Sequence, residues 1–290
     1  MESRAFGVTG LRCSVVGLGA SHLEGDAGEA ERLLCGALDA GVSLIDTARS
    51  YGQSEDRIGR FITRRRGEFL LSSKCGYGVE GEADWTGLCI AKGVDRALRT
   101  LGVAHIDIMH LHSCPLDVLR RDDVLGALEA ARRAGKIRVA AYSGENDALR
   151  FAIASGQFGS VQTSVNVCDQ NVLDDALPEA ARRGLGMIAK RPLANAFWRF
   201  EKQPTGDYCE EYWRRAREML LSPGSLAWSE FALRFAAHQP GVSAIIVGTS
   251  RLEHLLAAIR DVERGTLPAD VSRDVRQRFA THGKNWPGQI

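Results

Sequence analysis

No stretch of the chain approaches the roughly 18 consecutive apolar residues of a membrane span, and Met1-Glu2-Ser3-Arg4 runs into mixed polar sequence rather than an apolar leader. Cysteine is sparse and unpatterned. Cys13, Cys35, Cys75, Cys89, Cys114, Cys168 and Cys209 are odd in number, widely spaced and free of any Cys-x-x-Cys pair, which argues against a disulfide framework or a cysteine-built zinc site. An excess of one charge is missing too. The 37 basic residues face 36 acidic ones, a formal net charge of +1, so no broad electrostatic attraction to nucleic acid is expected. These absences lead us to expect a cytoplasmic protein with neither a membrane nor a nucleic-acid partner.

What the chain does have is apolar sequence in regular alternation. Hydrophobic residues make up 44% of its 290 positions, enough for one large core and suited to a single barrel domain over residues 1–290. Short aliphatic runs alternate with amphipathic stretches, the pattern of parallel strands joined by crossover helices. Strand ends are expected near Gly19, Asp46, Lys74, His112, Ser143, Asn166, Lys190 and Gly248. Helices are expected between them, from Glu29 to Ala40 through to Leu252 to Val262, with Gly41, Gly102, Gly135, Gly156 and Gly184 placed at or just after helix ends as caps. The expected fold class is α/β, a (β/α)8 TIM barrel. Two segments interrupt the repeat: Phe6 to Cys13, expected to form an N-terminal β-hairpin on the barrel floor, and Leu193 to Pro223, a long insertion after the seventh barrel strand. Within the insertion Tyr208 to Leu221 reads as helix, either a lid or a decoration of the rim.

In such a barrel the carboxyl ends of the strands converge on one face, where residues distant in sequence meet. Asp46 ends the run Val42-Ser43-Leu44-Ile45 and is followed by Tyr51; Lys74 closes Phe69 to Ser73; His112 closes Ile106 to Leu111. A hydride delivered to a carbonyl carbon builds negative charge on oxygen, and a proton must meet it there. A tyrosine can supply that proton if a neighbouring ammonium lowers its ordinary pKa of ~10. Lys74 is the candidate ammonium, Asp46 its anchor, and His112 the group that orients the carbonyl oxygen. Each residue alone has a plain explanation, as a cap, a rim contact, a solvated cation or a satisfied histidine. Together they hold the same relative place on consecutive strands.

These residues resemble the catalytic tetrad of the aldo-keto reductases in order and context: Asp46-Thr47-Ala48 with Tyr51-Gly52, the strand-ending Lys74 and the Leu111-His112 pair. The likeness runs from Val15-Val16-Gly17-Leu18-Gly19 to Gly248-Thr249-Ser250. It implies a nicotinamide cofactor, NADP(H), a small carbonyl or alcohol substrate, and Tyr51 as general acid or base supported by Asp46, Lys74 and His112. It also implies cofactor contacts from Gly19 and Ala20 after the first strand, from Ser143 and Gln162 toward the carboxamide, and from Lys190, Arg191, Pro192 and Leu193 after the seventh strand. Asn166 resembles a characteristic asparagine just beyond Gln162. Four positions depart from the family pattern. Gly144 stands where an asparagine is usual, Lys190 where an aromatic residue is usual, and Ala257 and Ala258 where acidic and amide residues are usual.

Gly248-Thr249-Ser250-Arg251 opens the last expected helix, with Ser250 and Glu253 spaced as a capping box. Helix starts after strands seven and eight of barrels often bind phosphate, and Arg251 there would favour NADPH over NADH. Other readings are weaker. Gly17-Leu18-Gly19 lacks the third glycine of a Rossmann loop, since His22 stands there, and His110, His112 and Asp46 lack a further convincing metal ligand. The alternative of a different class is a cofactor-holding regulatory or redox-sensor subunit on the same barrel. Trp85 and Trp198 are candidates to wall a substrate pocket.

Overall fold

A computed structural model describes residues 1–290. β1 (Ser3–Ala5) pairs antiparallel with β2 (Arg12–Ser14). The hairpin is the one expected, but its strands lie further out, and Phe6 to Leu11 form the connection. The reason is Phe6, which is wholly buried in the barrel floor among Leu44, Ile108, Ile188 and Ala244. Its ring rests on Gly186, where a Cβ would stand 2.5 Å from Phe6 Cδ1; only glycine leaves that space open.

Eight parallel strands follow: β3 (Val16–Gly19), β4 (Leu44–Asp46), β5 (Leu70–Cys75), β6 (Ile106–His112), β7 (Ile137–Ser143), β8 (Ser160–Ser164), β9 (Gly186–Lys190) and β10 (Ala244–Gly248). Each bonds to its neighbour in chain order, and β10 closes on β3 with Gly248 opposite Gly19. α1 (Ala27–Asp39), α2 (Ser54–Ile62), α3 (Gly87–Leu101), α4 (Asp122–Arg133), α5 (Asn146–Ser155) and α6 (Ala176–Arg182) follow β3 to β8 in turn. The expected (β/α)8 barrel is thus present. The sixth barrel strand stops at Ser164, short of the expected Asn166, which instead bridges to Asp169 in a tight loop.

The largest core, 56 buried residues, lies between the strands and the helices. The barrel interior is a separate and smaller cluster. Because side chains alternate with a period of two along a strand, Ile108, His110 and His112 share one face of β6 while Met109 and Leu111 take the other. The inward face therefore starts apolar at the floor and ends polar at the mouth. β5 repeats the scheme with Leu70, Ser72 and Lys74, and β9 with Ile188 and Lys190.

After β9 the insertion carries α7 (Glu210–Glu218) and leads to α8 (Trp228–Ala237), followed beyond β10 by α9 (Leu252–Glu263) and α10 (Ala269–His282). Phe197, Tyr212, Phe231, Phe235 and Val275 from these segments form a core of their own on the rim. Trp198 stacks on Trp228, ring centroids 5.6 Å apart and planes 7° from parallel. The insertion is packed down as a rim decoration, and Trp198 belongs to that packing. α10 had no counterpart in the sequence reading. Only Val275 and Phe279 of its residues are fully buried, a spacing too thin among charged neighbours to register as an amphipathic stripe.

Phe6→Ala is expected to lower stability by about 3–5 kcal/mol, because the floor cannot collapse into the space left. A urea midpoint within experimental error of wild type would show that the plug carries no load.

Candidate active site

Asp46, at the end of β4, and Lys74, on β5, meet inside the barrel mouth. Lys74 Nζ donates to Asp46 Oδ2 at 2.6 Å and to the Thr47 carbonyl at 2.8 Å. Asp46 Oδ1 accepts from Ser72 Oγ at 2.7 Å and from Gln162 Nε2 at 3.0 Å. Both side chains are 1% exposed. Burial opposes the Asp46 charge, but the Lys74 ammonium, with His110 and Ser72, outweighs it and holds the carboxyl below its usual value. Burial opposes the Lys74 charge as well, and Asp46 and Tyr51 outweigh it, so the ammonium is held above its usual value. The pair stays ionised. Tyr51, in the loop after β4, lays its ring over that ammonium, with Nζ 4.7 Å from the ring centroid.

His112 stands edge-on to Tyr51, ring centroids 6.0 Å apart at 87°. Burial pushes its pKa down to about 3, and the Lys74 and Lys190 charges add to the shift. The imidazole is neutral at pH 7. One turn of the pleat below, His110 is lowered to about 4, chiefly by burial. Ser72 spends its hydroxyl proton on Asp46, so it accepts from His110 Nε2 at 3.1 Å, and His110 Nδ1 is left with no partner.

The structure therefore brings together the four tetrad residues expected from sequence. Ser143 and Gln162 are also at the mouth and are bonded to each other, Ser143 Oγ donating to Gln162 Oε1 at 2.9 Å. Gly19 and Gly248 are hydrogen-bonded neighbours in the sheet, with Ala20 buried beside them. The capping box is absent. Arg251 occupies the N-cap of α9 without a side-chain cap bond, Thr249 Oγ1 accepts the Arg251 N–H at 3.1 Å, and Glu253 is drawn away to Arg32 at 2.9 Å. Ser250 and Arg251 are left exposed at the helix start.

At the end of β9, Lys190 Nζ pairs with Glu145 Oε1 at 3.2 Å. Burial lowers the Lys190 pKa, Glu145 only partly offsets this, and Arg191 and Lys74 lower it further. Arg191 donates to Ser164 Oγ at 3.1 Å, to the Gln289 carbonyl and to the Tyr208 hydroxyl. Pro192 is buried and Leu193 packs partly buried behind it. Arg191, Ala194, Asn195 and Ala196 all have positive φ, a run of non-glycine residues in a costly conformation of the kind that gathers at functional sites. The segment Trp286 to Gln289 straps this corner. Gly288 N–H donates to Asn146 Oδ1 at 2.8 Å, Gln289 N–H to Asp169 Oδ2 at 3.1 Å, and Arg215 Nη2 to the Pro287 carbonyl at 2.7 Å. Burial, with Glu145 nearby, raises Asp169 to about 7.

Sequence reading missed two side chains of this mouth. Glu145 lies just past Ser143-Gly144 and accepts from Ser164 N–H and Ser164 Oγ, both at 2.9 Å, as well as from Thr163. Tyr77 lies just past β5, and its hydroxyl is 2.8 Å from His112 Nδ1. Its signal in the sequence was an aromatic residue between Gly76 and Gly78 at a strand's carboxyl end.

The sequence profile of the aldo/keto reductase family matches residues 15–278. The chain belongs to that family of oxidoreductases. L-galactose dehydrogenase of Arabidopsis thaliana is 27% identical to it, with 91% of this chain and 89% of the relative covered. D-threo-aldose 1-dehydrogenase of a Pseudomonas species is 24% identical, with 85% and 88% covered. Among solved structures, an aldo-keto reductase of Bacillus halodurans in its holo form superposes with a TM-score of 0.81 over 96% of both chains at 23% identity. The reductase barrel described above is the same fold.

Because folding keeps His112 neutral down to about pH 3, against 6.5 for a free ring, the unfolded chain binds the extra proton first as pH falls. The stability this contributes is full above ~6.5 and is lost below it, by up to about 1.4 kcal/mol per pH unit. In His112→Gln the loss of stability between pH 7 and pH 5, read from urea unfolding, is expected to be smaller than in wild type by about 1–2 kcal/mol. Identical losses would mean that the ring is not held neutral.

Proposed function

We propose that this protein is an NADP(H)-dependent oxidoreductase that interconverts an aldehyde or ketone with its alcohol, with Tyr51 as the general acid and base. The observation that carries this reading is the Lys74 ammonium, fixed by Asp46 and lying 4.7 Å from the Tyr51 ring centroid. Negative charge that develops on the Tyr51 oxygen as the proton moves is stabilised by that cation. In the reducing direction Tyr51 donates to the substrate oxygen as negative charge develops there; in the oxidising direction its phenolate takes the proton back. Neutral His112 positions the same oxygen by hydrogen bonding, without competing as an acid near pH 7. The fully buried Asp46 does not exchange protons with solvent in this range and acts by holding Lys74.

The donor set fits a dinucleotide. Ser143 and Gln162, side by side at the mouth, offer a hydroxyl and an amide to a carboxamide, and Gly19 and Ala20 line the end of β3 with little side-chain bulk. Gly248, Thr249, Ser250 and Arg251 lead into α9, whose first-turn N–H groups have no partner within the helix and make a ready site for phosphate, while Lys190 ends the neighbouring strand with Arg191, Pro192 and Leu193 in the loop beyond it. The nicotinamide, when bound, supplies or accepts the hydride. The exposed Arg251 is the candidate contact for a 2'-phosphate and the ground for favouring NADPH. Two relatives carry the names of sugar dehydrogenases, which makes aldoses the first alcohols to try.

Tyr51→Phe is expected to abolish most turnover while leaving NADPH affinity within about threefold, since the acid is lost and little binding surface goes with it. Retained turnover would sink the assigned role. Arg251→Ala is expected to weaken NADPH, measured by calorimetry, by at least about tenfold more than NADH, the scale of one lost charge-assisted contact; equal losses would remove Arg251 from the 2'-phosphate.

A further inference from the structure

The ring nitrogen of His112 that the protein itself engages is Nδ1, 2.8 Å from the Tyr77 hydroxyl. The two rings are nearly parallel, 24° between planes and 5.6 Å between centroids. Tyr77 is not free to turn away. Its carbonyl accepts from Arg49 Nη1 at 3.1 Å, and its ring meets Trp85 edge-on with centroids 5.8 Å apart. Trp85 is in turn pinned by its N–H on the Gly76 carbonyl at 2.8 Å. Gly76 has φ +139°, and a Cβ there would lie 2.2 Å from the Trp85 ring, so this clamp closes only over glycine.

A neutral imidazole carries one proton, and whichever nitrogen lacks it must accept. The Tyr77 hydroxyl also has one proton and two possible takers, His112 Nδ1 at 2.8 Å and Ser50 Oγ at 3.4 Å. The shorter contact is to nitrogen, the better base, and Ser50 can rotate its own hydroxyl to donate to the Tyr77 oxygen. We infer that Tyr77 is a positioning residue which donates to His112 Nδ1, fixing the tautomer with the proton on Nε2 and turning that N–H toward the substrate oxygen. In the other tautomer His112 would present a lone pair to the oxygen it has to bind, and repel it. The burial that keeps the ring neutral supports the assignment, because an imidazolium would carry protons on both nitrogens and need no tautomer control.

The inference rests on the reading of His112 as the group that orients the carbonyl, but its first test needs neither cofactor nor turnover. In protein labelled with 15N-histidine at pH 7, with the His112 signals assigned by comparison with His112→Gln, Nδ1 is expected to show the shift of an unprotonated nitrogen and Nε2 that of a protonated one. Tyr77→Phe, which keeps the stacked ring, is expected to move both signals toward a mixture of tautomers. Under the proposed reaction it should also lower kcat by roughly tenfold with KM changed far less. Ser50→Ala, which leaves the short contact intact, should preserve the wild-type signals. A protonated Nδ1 in the wild-type protein, unchanged signals in Tyr77→Phe, or loss of the signature in Ser50→Ala would each overturn the assignment. Should the wild-type tautomer appear as expected in a protein with no reductase activity, the role of Tyr77 stands and the proposed reaction falls.

Discussion

The mouth of this barrel is organised around one buried ion pair. Placing Asp46 and Lys74 together out of water is costly unless their remaining hydrogen-bonding capacity is met, and the fold meets it from four directions: Ser72 below, Gln162 from across the mouth, the Thr47 carbonyl from the next residue along, and the Tyr51 ring above. Three of these partners have a second duty. Ser72 settles the proton of His110, Gln162 aligns Ser143, and Tyr51 is the proposed acid. Loss of either charge would therefore be felt well beyond the pair, because an uncompensated ion would remain among groups chosen to serve two.

The alternation of side chains along the strands is what makes this arrangement compatible with a stable barrel. Leu44, Ile108 and Ile188 fill the inward face near the floor, and Asp46, His112 and Lys190 occupy the same face two or four residues later on β4, β6 and β9. A register slip of one residue would put charges into the helix-facing core and apolar groups at the mouth. The same geometry sets two charge systems beside each other: Asp46–Lys74 on one side and Glu145–Lys190 on the other. The pairing of Lys190 with Glu145 puts a cation, anchored in place, at the end of β9.

Much of this was legible in the sequence because the informative residues end apolar runs. Asp46, Lys74 and His112 each break a strand at the point where the barrel opens to solvent, and period and position together announce them. The helical insertion and the hairpin were visible for similar reasons, although Phe6 moved the hairpin outward by being pulled into the floor. Other features left no such mark. The bond from Gln162 to Asp46 joins residues 116 apart, a pairing that only closure of the barrel creates. α10 has too few buried positions to announce a helix, and the expected cap at Ser250 gave way to a local turn in which Thr249 accepts the Arg251 N–H. Tyr77 could be seen as an aromatic between glycines, but not that it would lie flat against a histidine on the next strand.

The strap formed by Trp286 to Gln289 carries a consequence for how the chain comes to be folded. Its contacts reach back 142 residues to Asn146 and 120 residues to Asp169, so during synthesis the corner holding Glu145, Asp169, Arg191 and Arg215 is laid down long before its last partners leave the ribosome. Until then Asp169, Arg191 and Arg215 each lack one of the hydrogen bonds that accompany their burial. The strap thus covers a charged corner of the barrel by lending it backbone groups, through the Pro287 carbonyl and the Gly288 and Gln289 N–H groups.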